Sequence, residues 1–186
     1  MSCRVLIICE DPTHDQFILK PLVERILKDC GKGAANVQMC WNPKVQGIDD
    51  ARQTLEEICR DYSHFDLLVF LVDNDGQSRS ERLRHLETRH GPSLICCASI
   101  EEVEAWLLAG HIEKLDRSWR EVRADVSVKE NVFAPFLRQH GDPKRLGGGR
   151  DLLMKQTLAG YPGLLDRCPE LKTLRDRVCA SLASQN

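Results

Sequence analysis

The chain is short of the features that classify a sequence at sight. No apolar run among its 186 residues approaches the roughly 18–20 needed to cross a bilayer, so no membrane contact is expected. The opening MSCRVLIICE carries one early Arg, but its apolar stretch is brief and ends in an acid. It reads as a strand rather than a secretion signal, and the expected location is the cytoplasm. Nine cysteines are present, yet none forms a Cys-x-x-Cys and no Cys/His pair has zinc-ligand spacing. Cys9, Cys40 and Cys96 fall inside apolar runs, where Cys acts as a small hydrophobe. Repeats, low-complexity tracts and a nucleophile elbow are missing. GGGR at 147–150 lacks the Lys-Ser/Thr of a P-loop, so the chain has no ATP-binding loop of its own. Net charge is −2, which makes no global case for a nucleic-acid partner.

An apolar fraction of 42% is enough for a real core. The charge is unevenly spread. Residues 1–116 hold 13 basic and 20 acidic side chains, net −7; residues 117–186 hold 13 basic and 8 acidic, net +5. Such a pairing suits metal-dependent chemistry on a polyanion, although a helical surface that is simply basic accounts for it as well.

Four short apolar runs predict buried strands: 3–9 (CRVLIIC), 36–41, 66–72 and 93–98. Between them, helical spacing predicts helices over 15–28, with Thr13 as N-cap, over 49–62 and over 80–89. EEVEAWLLA at 101–109 predicts a further helix capped by Ser99. Strand–helix alternation with strands apolar on both faces argues for an α/β fold, a parallel four-stranded sheet flanked by helices. No strand is expected after 111. Residues 119–140 and 150–183 read as helical, separated by HGDPKRLGGGR, whose glycines read first as a flexible loop. The organisation expected is an α/β unit at 1–112 and a helical C-terminal extension at 113–186 packed on it. Trp106 and Trp119 are expected in the core, and His85, His90, His111 and His140 at the surface.

The most informative stretch is 65–76, FDLLVFLVDNDG. Its run ends in Asp73 and Asp75, which share a strand face while Asn74 points away. Two such carboxylates repel unless a proton or cation lies between them, and hard oxygen donors suit Mg²⁺ or Mn²⁺. A plain Asp-Asn-Asp-Gly turn is the bland alternative. Two other acidic clusters follow strands: Glu10-Asp11 after the first, and Glu101, Glu102 and Glu104 after the fourth. Parallel strands end along one edge, so all three can converge there. On a helix, Glu101 and Glu104 share a face and Glu102 lies off it; glutamates at a helix start also simply suit its dipole.

VLIICEDPTHDQFI, LLVFLVDNDG and SIEEVEAWLLA together resemble the TOPRIM domain of topoisomerases, primases and OLD-type nucleases. The likeness is closest to small stand-alone bacterial TOPRIM-like proteins and spans roughly 3–110. It matches Glu10 to the family's glutamate after the first strand, and Asp73 and Asp75 to its Asp-x-Asp pair. Asp11 stands where the family usually has Gly, which implies a different turn or an added ligand. The resemblance implies Mg²⁺-dependent (or Mn²⁺-dependent) cleavage of phosphodiesters in nucleic acid, DNA ahead of RNA, as in a phage-defence effector. Glu10, Asp73 and Asp75 would be catalytic, and the same three with Glu104 would hold metal. Lys129, Lys144, Arg145 and Arg150 are the phosphate-contact candidates, with backbone N–H groups of Gly147, Gly148 and Gly149 in support. A non-catalytic subunit working beside an ATPase partner is the alternative. A haloacid-dehalogenase-type phosphatase, with Asp73 as nucleophile, fits the letters DNDG but not their distance from the N-terminus.

Overall fold

The computed structural model describes residues 3–45, 47–74 and 78–184, with backbone only at 47–50 and 52. Four strands form one parallel sheet: β1 (Arg4–Ile8), β2 (Asn36–Met39), β3 (Leu67–Val72) and β4 (Leu94–Ala98), in the order β2-β1-β3-β4. Valine, leucine and isoleucine dominate them, and β3 is buried at every position, as a sheet covered on both faces requires. The α/β fold expected from alternation is therefore present.

The strand order reverses direction after β2. With right-handed crossovers, such a reversal puts the first connecting helix on one face and the next two on the other. Two separate cores bear this out. Helix α1 (Pro12–Asp29) packs Ile18, Leu19, Leu22 and Ile26 against Val5, Ile7, Val69 and Leu71. Helices α2 (Gly47–Asp61) and α3 (Ser80–His90) bury Leu55, Ile58, Leu83 and Leu86 against Leu6, Ile8, Phe70 and Cys96. The chain then adds α4 (Glu104–Leu108), α5 (Trp119–Val122), α6 (Ala134–His140), α7 (Arg150–Ala159), α8 (Tyr161–Arg167) and α9 (Pro169–Ser184). These extend the α1 side, sharing one continuous core with it through Trp106, Phe133, Met154, Leu164 and Leu174. No described helix is long and apolar enough to cross a membrane.

Several local expectations are corrected. The cap of α1 is Asp11, not Thr13: its side chain accepts from Thr13 N–H and His14 N–H, and Pro12 follows in the first turn, where a missing N–H costs nothing. Ser99 caps no helix. Its N–H pairs with Val72 C=O, extending the sheet, and residues 99–103 form an irregular turn before α4 begins at Glu104. The 119–140 region breaks because Asp125 folds back on Ser127 N–H and the Asn131 amide. A π-helical turn, Lys129–Phe133, then runs into α6. The 150–183 region divides at Gly160-Tyr161-Pro162 and Cys168-Pro169, each proline opening a new helix. His111 is not on the surface: it is buried, its Nε2 3.0 Å from Leu153 C=O. Trp106 is fully buried and Trp119 half-buried, as expected.

Cys30 and Cys179 are joined by a disulfide that ties the end of α1 to α9. At the open edge of the sheet, the Cys96 N–H donates to Glu87 and its C=O accepts from Arg177, while Arg177 also pairs with Glu87 at 2.5 Å. The two side chains thus take the place of a missing neighbouring strand.

The glycine run is a packed turn, not a flexible loop. Gly147, Gly148 and Gly149 all have positive φ, at 68°, 66° and 88°. A Cβ on Gly149 would lie 2.5 Å from Asp142 N, and one on Gly147 2.5 Å from the Phe17 ring. Left-handed backbone alone costs a non-glycine residue about 1–2 kcal/mol. Gly149→Ala should therefore destabilise the protein by about 2 kcal/mol or more, and Gly33→Ala, which meets only Lys28 Cγ at 3.6 Å, by less than about 0.5. Urea unfolding of the two variants checks this; equal losses would show that the turn yields freely.

Candidate functional site

The order reversal places the crevice between the carboxyl ends of β1 and β3, the position where open α/β sheets bind ligands. Register aligns Ile8 with Phe70 and Val72 with Ala98. Glu10, Asp73 and the turn before α4 therefore emerge along one edge.

Asp73 is held in place by the sheet itself. Its Oδ1 accepts from Val103 N–H at 2.8 Å and lies 3.5 Å from Ser99 Oγ. Asn74 N–H donates to Glu101 C=O, so the loop after β3 is stitched to the one after β4. Glu104 opens α4 and is 1% exposed. Its Oε1 meets the Lys129 ammonium at 3.0 Å. Its Oε2 is buried with no hydrogen-bond partner among the described residues. The π-helical turn is what brings Lys129 in, and the Lys129 N–H also donates to the Glu102 carboxylate. Such turns recur at functional positions because they re-aim a side chain out of the regular helical series.

Electrostatics bind this group together. Burial and then the repulsion of Glu104 push Asp73 up to about 8, with Asp15 and Glu10 adding to the effect. Burial and the same Glu104 push Asp15 up to about 7. Glu102, buried and near Glu104, also rises to about 7, although the Lys129 N–H opposes the shift. Burial alone would lower Lys129; Glu104, Asp15 and Asp73 reverse that and hold it firmly protonated. One ammonium thus serves a set of acids too dense for all of them to ionise.

The remaining candidates fall in different places. Glu10 stands at the same edge, its Oε1 3.6 Å from Arg79 Nη1. Asp75 lies outside the described residues. Asp11 stands at φ −119°, a backbone angle that needs no glycine. Its carboxylate is occupied by the cap and by His14 Nδ1 at 2.8 Å. Of the basic candidates, Lys129 alone joins the acids. Arg145 pairs with Asp151 at 2.5 Å, and Arg150 donates to Gly147 C=O and lies over the Phe133 ring. Lys144 is exposed on the loop.

Sequence reasoning missed Asp15, placed Glu102 in a converging acidic cluster but outside the metal set, and gave Lys129 a different setting. Asp15 did leave a signal: it lies three and four residues before Ile18 and Leu19, on the apolar face of α1. Lys129 left none, because an irregular turn carries no periodicity.

The donors in place are carboxylate oxygens, the chemistry of a hard divalent cation. The orphaned Oε2 of Glu104 is compatible with one. Among the described residues, no three His, Cys, Asp or Glu side chains converge as a ready-made cage.

A carboxyl whose pKa rises on folding binds its proton more tightly in the native state than in the unfolded chain, where Asp titrates near ~3.9. Asp73 therefore contributes stability that is fully present below its unfolded pKa and lost as pH rises through about 8. Asp15 and Glu102 act with the same sign up to about 7. Asp73→Asn fixes the uncharged form. It should flatten the fall in melting temperature between about pH 5 and about pH 9 and raise it at the alkaline end. Parallel profiles for variant and wild type would refute the buried-acid account.

The chain matches no protein-family model, no curated protein and no solved structure, so the site is read from its own chemistry.

Proposed function

We propose that the chain is a TOPRIM-like phosphodiesterase that uses Mg²⁺ or Mn²⁺ to cut nucleic acid. The observation that carries the reading is the buried group of Asp15, Asp73 and Glu104 at the switch point of the sheet, with one ammonium among them. Asp73, Glu104, Glu10 and Asp75 are the residues that would hold the cation, which supplies Lewis-acid polarisation of a phosphoryl oxygen and stabilises the leaving oxygen.

The chain's own groups have distinct roles in this reading. Lys129 offers a fixed positive charge to a non-bridging phosphate oxygen. Asp73, with Oδ1 committed to Val103 N–H, keeps Oδ2 for the cation. Glu10, steadied by Arg79, is placed to orient the attacking water.

Plasmid, linear and single-stranded substrates with and without Mg²⁺ or Mn²⁺ test this reading. Cleavage should require the cation, and Asp73→Asn or Glu104→Gln should each reduce it by about 100-fold or more while unfolding stays cooperative. Undiminished cleavage in both variants would sink the mechanism.

One observation favours the alternative of a non-catalytic subunit beside an ATPase. The Lys129 ammonium already neutralises Glu104, and a permanent internal cation makes a metal redundant. On that reading Mn²⁺ leaves the wild-type melting temperature unchanged and raises that of Lys129→Met. On the catalytic reading, the wild type itself is stabilised.

A further inference from the structure

A groove of about 610 Å³ runs along the open edge of the sheet, between α3 and α9, with β4 as its floor. It is joined to the acidic site at one end. Asn74, Ser99 and Arg79 line it, and the same residues reach the site: Ser99 Oγ lies 3.5 Å from Asp73, and Arg79 pairs with Glu10. Its charge is opposite to that of the site. Among the described residues, three arginines, Arg79, Arg84 and Arg177, line it against two acids, Glu87 and Glu170. Arg79 and Arg177 are each paired, with Glu10 and Glu87, so the excess positive charge is carried by Arg84. Glu87 holds Arg177 and the Cys96 N–H. Glu170 holds Arg123 at 2.8 Å and the Trp106 indole. Arg84 is exposed, and Arg177 keeps 40% of its side chain accessible.

We infer that this groove is the track for a single nucleic-acid strand, gripped through its phosphates and delivered to the acidic edge. The inference rests on the reading of that edge as a phosphodiesterase site. An acidic cluster repels a polyanion, so its substrate has to be held by positive charge next to it, and the groove supplies that charge. The volume is that of a cleft for one or two small molecules, within roughly 300–1,000 Å³, so it takes a short length of strand and not a duplex. Hydroxyls of Ser78, Ser80 and Thr173 line the same walls and suit phosphate oxygens. Among the described residues no aromatic side chain lines the groove for base stacking, so recognition is of backbone and indifferent to sequence. The basic loop at 144–150 is not needed for this role, since Arg145 and Arg150 are engaged locally.

Fluorescence anisotropy of labelled oligothymidylate, oligouridylate and a short duplex, in EDTA so that nothing is cut, tests the track. The single strands should bind the wild-type chain more tightly than the duplex, weakening with salt between about 50 and about 200 mM. Arg84→Glu on one wall and Thr173→Glu on the other should each weaken binding by about tenfold. Arg84→Glu should also make the salt dependence shallower by about 0.7 in log–log slope. Arg84→Lys should stay near wild type, because a phosphate contact needs charge more than a planar fork. Lys44→Glu makes the same charge change beyond β2, at the opposite edge of the sheet, and should alter binding by less than about twofold. Equal loss in Arg84→Glu and Lys44→Glu, or no binding by the wild type, overturns the track. The wild type separates the two readings: groove-dependent binding without metal-dependent cleavage keeps the track and removes the catalytic assignment, whereas Asp73→Asn should keep the binding and lose the cleavage. Cleavage unchanged in both wall variants removes the track and keeps the site.

Discussion

Carboxylates buried beside one another are the constraint on which this molecule turns. Glu104 from α4 raises the proton affinity of both Asp15 from α1 and Asp73 just after β3, and Asp15 adds to the effect on Asp73. They come from segments far apart in the chain, so their meeting depends on the sheet order. Reversal of direction after β2 opens a crevice at β1 and β3, and the turn after β4 closes over it through Val103 N–H and Glu101 C=O. A site of this kind works against stability, because burial penalises charge and the acids repel. The fold tolerates it by surrounding it with elements that cannot shift easily: a strand buried at every residue on one side and a fully buried Trp106 on the other.

The helices after β4 are part of that support. Glu170, at the start of α9, accepts from the Trp106 indole and from both arms of Arg123, so α4, α5 and α9 meet at one carboxylate. A two-pronged guanidinium–carboxylate contact fixes direction as well as distance. Farther along α9, Arg177 completes the edge of β4, and Cys179 is bonded to Cys30 at the end of α1. The Thr157 hydroxyl on α7 donates to Leu107 C=O, one of the carbonyls at the end of α4. Because α4 carries Glu104 and the π-helical turn carries Lys129, disturbing this layer disturbs the ion pair at the crevice. The basic half of the sequence thus serves the acidic half mainly by holding its geometry and by supplying one ammonium.

The parts legible in sequence were those with a period. Strands β1 to β4 announced themselves as apolar runs, and α1 to α3 as amphipathic spacing between them; with right-handed connections, that alternation leaves few sheets to choose from. Asp73 was visible because an acid straight after LLVFLV has to lie at a sheet end. What stayed hidden depended on contacts made across long separations or in irregular backbone. The Glu101–Ala109 run looked like one helix, but Ser99 N–H was needed to extend β4 and Glu102 to receive Lys129 N–H, so the helix starts late. The glycine run looked loose because composition cannot tell a mobile loop from a left-handed turn packed on Phe17. Lys129 read only as a phosphate-contact candidate beside Lys144, Arg145 and Arg150, since nothing in EVRADVSVKENVF marks a π-helical turn.

Charge balance says how the crevice behaves when nothing is bound. Lys129 is committed to Glu104 and, through its backbone N–H, to Glu102. Asp73 and Asp15 still face Glu104, and both hold a proton into the neutral range. A proton on Asp73 and a cation on Asp73 are competing solutions to the same repulsion. On the proposed reading, a divalent ion held by Asp73 would have to displace that proton, as metal binding to an acidic ligand generally does. The Lys129 pair offsets one negative charge of the crevice and does not satisfy every acid. Near neutrality Asp73 and Asp15 therefore stand between their protonated and ionised forms. Arg79 pairs with Glu10 at this edge, and the other arginines lining the β4 groove lie just beyond it.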